Sequence, residues 1–156
     1  MSKITSVKLE NLTAFKLLEL DFSQGVNVLI GANGTGKTHL LKILYAACAI
    51  TVGEDAEKGF ALKLKNVFNP HEGRVGRLSR RQSGSVKTRI IGTRIGGSKL
   101  SAEFSNHTNK AEDIRVTGET GWKKEPLHSA YIPVKEMLAH APGFLRRHPP
   151  PGRECS

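Results

Sequence analysis

The sequence predicts an α/β fold, and three patterns support that prediction. Two segments near the N-terminus alternate apolar and polar residues, which is typical of half-buried strands. A short apolar run at residues 26–30 leads into a glycine-rich loop, and apolar residues at helical spacing follow the loop. Residues 85–120 combine alternating segments with glycine turns. These patterns predict an α/β core with N-terminal antiparallel strands and a β-rich flanking lobe.

The N-terminal strands come first in the chain. "KITSVKLENL" (residues 3–12) and "FKLLELDF" (residues 15–22) both alternate, and Gly25 supplies a turn after them. The next run, "VNVLIG", is rich in β-branched residues and is of the kind that is buried on both faces of a sheet. We therefore expect residues 26–30 to form a central strand.

The elements after the loop are predicted from residue spacing and from turn residues. Apolar residues recur at helical spacing over residues 37–50. "FALKLKNVFNP" predicts a second helix that ends at Asn69, because a residue before proline avoids the helical region. "TRIIGTRI" and "KLSAEFS" flank Gly96-Gly97 and predict a β-hairpin. "DIRVTG" predicts a further strand, and "WKKEPLHSAYIPVKEML" predicts a strand followed by a helix that begins near Pro133.

The chain is strongly basic. It has 24 lysines and arginines against 14 acidic residues, for a net charge of +10. This balance favours polyanionic partners such as nucleic acid, nucleotides or anionic lipid. A basic surface that only keeps the chain soluble is the alternative.

Cysteine content and hydropathy indicate the compartment. Cys48 and Cys155 are the two cysteines, and they form neither a disulfide framework nor a metal-binding spacing. No apolar run reaches the ~20 residues that a bilayer-spanning helix needs, and the alternating N-terminus does not resemble a signal peptide. We therefore expect a soluble, cytoplasmic chain with no membrane partner.

The C-terminal segment differs from the rest of the chain. "RRHPPPGRECS" (residues 146–156) has three consecutive prolines and no apolar periodicity. Such composition predicts a disordered tail. The folded lobe is accordingly expected to span residues 1–145.

The glycine-rich segment "GANGTGKT" carries the strongest functional signal. It fits the phosphate-binding pattern G-x-x-x-x-G-K-[ST] at every fixed position. The glycines let successive backbone N–H groups point into one concavity, and the helix that follows adds the positive end of its dipole. Lys37 can reach the β- and γ-phosphates of ATP, and the Thr38 hydroxyl can ligate Mg²⁺. The predicted nucleotide-binding residues are Gly31, Ala32, Asn33, Gly34, Thr35, Gly36, Lys37, Thr38 and the adjoining His39, although packing is the more ordinary role for this histidine.

The first fifty residues resemble a known family. "VKLENLTAFKLLELDFSQGVNVLIGANGTGKTHLLKIL" is similar to the opening of the ABC-type ATPase heads of the RecF, SMC and OLD-like families. The resemblance implies an ATP-binding lobe that acts in DNA repair, DNA maintenance or phage defence. It also implies that the N-terminal sheet approaches the nucleotide, so that Phe15 or Lys16 would touch the nucleotide. The alternating strand favours the simpler interpretation that Phe15 is a core residue.

The resemblance returns at "YIPVKEML", which is similar to the region that carries the family's Q-loop. Glu136 is the residue that would take the Q-loop role near the metal and the attacking water. The alternative is that Lys135 and Glu136 begin a surface helix. Lys37 and Glu136 are therefore the candidate catalytic residues.

The family's remaining hydrolytic motifs are missing from the sequence. No apolar run ends in Asp-Glu, as a Walker B strand does, and "LSRRQSG" (residues 78–84) has arginines where a signature loop has glycines. We therefore expect the chain alone to bind ATP or ADP weakly and to hydrolyse ATP at no more than background rate. Hydrolysis would need a C-terminal half or a partner ATPase subunit, since a homodimer would lack the same parts.

Two other functions remain open from the sequence. One is a basic nucleic-acid-binding module whose loop serves only as a structural nucleotide clamp. Arg74, Arg77, Arg80 and Arg81 would then follow the phosphate backbone of DNA, although plain solvation explains them equally well and the loop lacks aromatic residues for stacking. The other is a P-loop kinase, the weakest of the three, because no acceptor-activating aspartate or basic lid is in place.

Overall fold

The computed structural model describes residues 3–132, which form one five-stranded sheet and the helices that cover one of its faces. Within these residues, no helix is both long enough and apolar enough to cross a bilayer. The strands are β1 (Ile4–Leu12), β2 (Phe15–Asp21), β3 (Lys87–Arg94), β4 (Lys99–Ser105) and β5 (Arg115–Thr117); the helices are α1 (Lys37–Ala49), α2 (Asp55–Phe68) and α3 (Glu119–Trp122), with short 3₁₀ turns at His71–Gly73, Val75–Leu78 and Ala111–Asp113.

The sheet is antiparallel throughout, in the order β2-β1-β3-β4-β5. Strand β1 lies between its sequence neighbour β2 and the distant β3. The predicted N-terminal strands and the predicted hairpin are both confirmed, as is the short fifth strand. The N-terminal strands and the β-rich region are not separate layers, since β1 joins them into one sheet.

The inner face of the sheet forms the core together with α1 and α2. Alternating residues of β1, β3 and β4 turn inward, as the strand period of two requires. Helix α1 buries Leu40 and Ile43, and α2 buries Phe60 and Leu64. The inward residues of the strands are Val7, Leu9, Ile90, Leu100, Ala102 and Phe104. The predicted helix over residues 37–50 is confirmed to within one residue.

The outer face of the sheet carries a ladder of ion pairs. Lys8 lies opposite Glu19 with 2.6 Å between charged atoms, and Arg89 lies 2.7 Å from Glu103. Lys87 also reaches Glu103 at 2.7 Å. Hydrogen bonds from Lys87 and Arg89 lower the pKa of Glu103 from its ordinary 4.5 to about 2. This alternation of charged and apolar residues explains why the strands were readable from the sequence.

The predicted central strand at residues 26–30 is wrong. The segment belongs to no strand, and three of its apolar side chains lie in solvent, with Val26 88%, Val28 73% and Ile30 92% exposed, whereas Leu29 is half-buried against the core. A strand needs a neighbour that pairs with its backbone. Among residues 3–132 the five paired strands form their sheet without this segment, so its β-branched composition alone does not make it a strand.

The strand predicted after Trp122 is also wrong. Residues 119–122 form α3, and no strand follows through residue 132. Burial decides the conformation here: the Trp122 indole is fully buried, donates a 2.7 Å hydrogen bond to the Ala47 carbonyl, and lies against the guanidinium of Arg94. The helix predicted near Pro133, the candidate Glu136 and the predicted tail at residues 146–156 all lie outside the described residues.

Candidate nucleotide-binding site

The glycine loop connects the exposed segment 26–30 to the first turn of α1. Gly36 caps the helix with φ 97°, and Gly34 has φ 81°. Both values lie in the left-handed region that glycine adopts without cost and other residues rarely enter. The two glycines therefore give the loop the reversal that brings its backbone in front of the helix N-terminus.

The backbone amides of the loop are without protein partners. Among residues 3–132, no acceptor is found for any N–H group from Gly31 to His39. The first helical hydrogen bond runs from the Leu40 N–H to the Gly36 carbonyl at 3.0 Å. Free amides at the start of a helix, with about half a positive charge from its dipole, form a site for an anion.

Lys37 places its ammonium group against the loop itself. The Nζ atom donates hydrogen bonds to the Gly31 carbonyl at 2.6 Å and to the Ala32 carbonyl at 2.7 Å. The Thr35 hydroxyl donates to the same Ala32 carbonyl at 2.9 Å. The loop is thus closed by its own side chains, and the charge of Lys37 lies against the carbonyl groups at the start of the loop.

The donor set suits a nucleotide polyphosphate and one metal contact. Thr38 is exposed and its hydroxyl has no hydrogen-bond partner among the described residues. A hydroxyl oxygen is a ligand that Mg²⁺ accepts, with phosphate oxygens and water completing its shell. The residues present therefore fit Mg²⁺ bound together with a nucleotide.

Phe15 connects the sheet to the loop. Its ring packs so closely on Gly36 that a Cβ atom there would lie 2.5 Å from the ring's Cζ atom. The ring also packs against the buried core. Phe15 therefore holds the loop in place from the side of β2, which agrees with its interpretation as a core residue.

His39 is positioned by packing rather than by the loop. Its ring lies 5.6 Å from that of Phe68, and its pKa is lowered by burial and by the nearby Lys42. The buried His39 Nδ1 has no hydrogen-bond partner among the described residues, and neither has Thr13 Oγ1 beside it in the same cleft. Nothing in the sequence was a reason to choose Thr13 as a site residue, because only the folded chain brings it close to α1.

The described structure brings the loop residues together, but it leaves the catalytic pair untested. Lys37 lies in the loop, and Glu136 is beyond the described residues. A contact that the sequence did not indicate ties the β1–β2 turn to the basic segment: the Arg80 guanidinium donates a 2.7 Å hydrogen bond to the Ala14 carbonyl, directly before Phe15. No local pattern could predict it, because 66 positions separate the two residues.

Known proteins are similar to this chain in two ways. The AAA domain family matches residues 6–131. Curated relatives match over shorter stretches: the DNA replication and repair protein RecF of Exiguobacterium sp. is 50% identical over 42 residues, or 27% of this chain and 11% of the relative. RecF of Oenococcus oeni is 48% identical over 42 residues, with the same shares of each chain.

A relative outside the RecF proteins is also similar. The DNA double-strand break repair Rad50 ATPase of Methanopyrus kandleri is 46% identical over 44 residues, which are 28% of this chain and 5% of the relative. The matched stretches thus span about a tenth or less of each of these relatives. No solved structure matches the chain.

The family match covers most of the chain, and the loop geometry and the RecF and Rad50 relatives agree with it. The chain belongs to the AAA domain family, in which it corresponds to an N-terminal lobe of the ABC-type, RecF- and SMC-like P-loop ATPases.

Proposed function

We propose that the chain is the ATP-binding lobe of an ABC-type ATPase of DNA repair, DNA maintenance or phage defence. It binds Mg-ATP through Gly31–Thr38. The Walker B and signature motifs, which its sequence lacks, come from another segment or from a partner ATPase subunit. The names of the RecF and Rad50 relatives support the link to DNA repair.

One observation carries this proposal: the loop offers unpartnered amides and a lysine charge at the N-terminus of helix α1. Phosphate oxygens accept hydrogen bonds from such amides, and the Lys37 ammonium adds a positive charge to them. The base and ribose then lie towards the β1–β2 turn, since Phe15 fixes the loop against that side of the sheet.

Calorimetry with Mg-ATP tests nucleotide binding. The wild-type chain is expected to bind, and Lys37→Ala to lose most of that binding because the loop loses its charge. Lys42→Ala is the matched control: it removes the same side chain from the same helix, where the ammonium lies over the Phe68 ring, 5.5 Å from its centroid. Equal affinity in the wild type and Lys37→Ala would contradict the proposal.

An assay of phosphate release tests whether the chain alone can hydrolyse ATP. We expect the chain alone to hydrolyse ATP no faster than a protein-free control, because a missing transition-state donor typically costs ~10³–10⁵ in rate. Several such parts are absent from the sequence. Turnover well above the control that disappears in both Lys37→Ala and Thr38→Ala would show that the chain is a complete enzyme.

A second candidate function is a nucleic-acid-binding module in which the nucleotide is only a structural clamp. It is favoured by the arginines at positions 74, 77, 80 and 81, which the fold gathers along one cleft. This function predicts DNA binding that is unchanged by ATP and by Lys37→Ala. Binding that requires both would favour the ATPase lobe.

A further inference from the structure

A pocket of about 530 Å³ lies between the basic segment and the turn that follows β4. One wall consists of residues between 74 and 82, among them four arginines, and the other consists of residues 106–109. We call it the arginine pocket. No residue of the glycine loop lines it, so a ligand bound here would be separate from a nucleotide bound by the loop.

The charge of the arginine pocket is unbalanced. No carboxylate lines it. Among residues 3–132, Arg77 and Arg81 are exposed and have no ion-pair partner, whereas Arg74 pairs with Glu72 at 3.1 Å. A guanidinium group can donate two parallel hydrogen bonds to one phosphate or carboxylate. With no protein acid beside them, both of these guanidinium groups can bind an anion from solution.

The two walls are fastened to each other where Gly76 meets the turn. The Gly76 N–H donates a hydrogen bond to the Thr108 carbonyl at 2.8 Å. A Cβ atom at Gly76 would lie 2.5 Å from the Asn106 carbonyl oxygen, so this approach requires glycine. The distance between the walls is therefore set by the backbone and not by exposed side chains.

The side chain of Asn106 fastens the walls at a second place. Its amide oxygen accepts a 3.0 Å hydrogen bond from the Val86 N–H, and its amide nitrogen donates a 2.9 Å bond to the Gly84 carbonyl. Residues 84–86 continue the chain from the arginine wall. Because two fixed connections join the walls, a compact ligand fits the pocket better than a polymer, which needs an open path.

We propose that the arginine pocket binds a compact phosphate compound with several negative charges, through Arg77 and Arg81. Since each guanidinium group can bind the oxygens of one phosphate group, the pair suits a ligand that carries more than one phosphate. Asn109 and His107 line the opposite wall, and their side chains can donate further hydrogen bonds to phosphate oxygens. The proposal does not rest on nucleotide binding by the glycine loop.

Calorimetry with tripolyphosphate as the probe tests the proposal. The glycine loop could bind the same probe, so each measurement is made in the wild-type chain and again with Lys37→Ala, which weakens binding at the loop. The pocket variant is Arg77→Gln/Arg81→Gln; Arg80 is kept because it supports the Ala14 carbonyl. The control is Lys99→Gln/Arg115→Gln, which removes the same charge from two exposed residues outside the pocket. Trp122 fluorescence confirms that the variants are folded.

With Lys37→Ala present, the chain is expected to keep one site for tripolyphosphate. The pocket variant should bind there about 10- to 100-fold more weakly at ~0.1 M salt, because hydrogen bonds between charged groups are among the strong ones. The control should keep the affinity. Absence of any site in the Lys37→Ala chain would overturn the proposal, as would an equal loss in the pocket variant and the control.

Two further probes test the chemical class of the ligand. Citrate, which carries its charge on carboxylates, is expected to bind more weakly than tripolyphosphate; equal affinity would contradict a phosphate site. Tripolyphosphate is expected to displace any 20-mer duplex DNA that depends on Arg77 and Arg81. DNA that depends on both arginines and is not displaced would show that the pocket serves a polymer and would refute the proposal.

Discussion

Replacing Gly36 by alanine tests the contact that holds the nucleotide loop against the sheet. The new Cβ would lie 2.5 Å from Cζ and 2.9 Å from Cε2 of Phe15, closer than real Cβ contacts come. The residue would also keep φ near 97°. Left-handed backbone costs an L-residue roughly 1–2 kcal/mol, and overpacking costs about 1–3 kcal/mol. We therefore expect Gly36→Ala to lower the free energy of unfolding by about 2–5 kcal/mol.

Gly34→Ala separates the two costs. Gly34 has φ 81°, and nothing lies within 4 Å of a Cβ placed there. This control carries the backbone cost alone, roughly 1–2 kcal/mol. The difference between the two variants then measures the clash with Phe15.

Urea unfolding followed by tryptophan fluorescence is the assay, since Trp122 is the single tryptophan of the chain and is fully buried. A Phe15→Ala/Gly36→Ala double variant completes a mutant cycle, in which removing the ring should recover the overpacking part. Equal destabilisation by Gly36→Ala and Gly34→Ala, with no coupling in the cycle, would refute the contact between ring and loop.

Two further changes probe the rest of the fold. Trp122→Phe is expected to lower the free energy of unfolding by about 2–4 kcal/mol, measured by circular dichroism, because it leaves a space and deprives the Ala47 carbonyl of a 2.7 Å hydrogen bond. Glu103→Gln is expected to flatten the pH dependence of stability. The folded-state pKa of Glu103, about 2, lies below its ordinary 4.5 because Lys87 and Arg89 bond to it. The contribution of Glu103 to the free energy of unfolding is thus complete above pH 4.5 and is lost as the pH falls towards 2.

The Trp122→Phe and Glu103→Gln variants each have a control. For the pH dependence it is Glu112→Gln, which removes an exposed glutamate that has no ion pair among the described residues. If the free energy of unfolding falls equally steeply between pH 4.5 and 2 in Glu103→Gln and in the wild type, the ion pairs of Glu103 do not stabilise the fold as argued. For the tryptophan, Leu41→Ala shortens an exposed apolar side chain and should change stability little; a Trp122→Phe variant as stable as this one would contradict the packing argument.

Local patterns in the sequence predicted the parts of the fold that depend on near neighbours. Strands β1, β3 and β4 alternate because one face is buried and the other carries the ion-pair ladder, and the edge strand β2 is half-buried on one face. Helix α1 was readable from its apolar spacing, and the β3–β4 hairpin from Gly96-Gly97, both of which adopt positive φ. The loop was recognised because its chemistry requires particular residues at fixed spacing.

Contacts between distant residues were not predictable. Whether residues 26–30 form a strand depends on a pairing neighbour, which composition does not reveal. Trp122 was assigned to a strand because nothing local indicates that its indole would reach Ala47 in α1, 75 positions earlier. The proximity of Thr13 to His39 and of Arg80 to Ala14 likewise follows from how β1, β2 and α1 pack.

The uncovered valines and isoleucine of residues 26–30 have a consequence for the colloidal behaviour of the chain. A net charge of +10 keeps molecules apart through repulsion. Added salt screens that repulsion, and a bare β-branched stretch can then pair with its copy in another molecule. Solubility should therefore fall as the salt concentration rises. A protein that precipitates because its net charge is near zero would show the opposite trend. Light scattering across a salt series would show that trend.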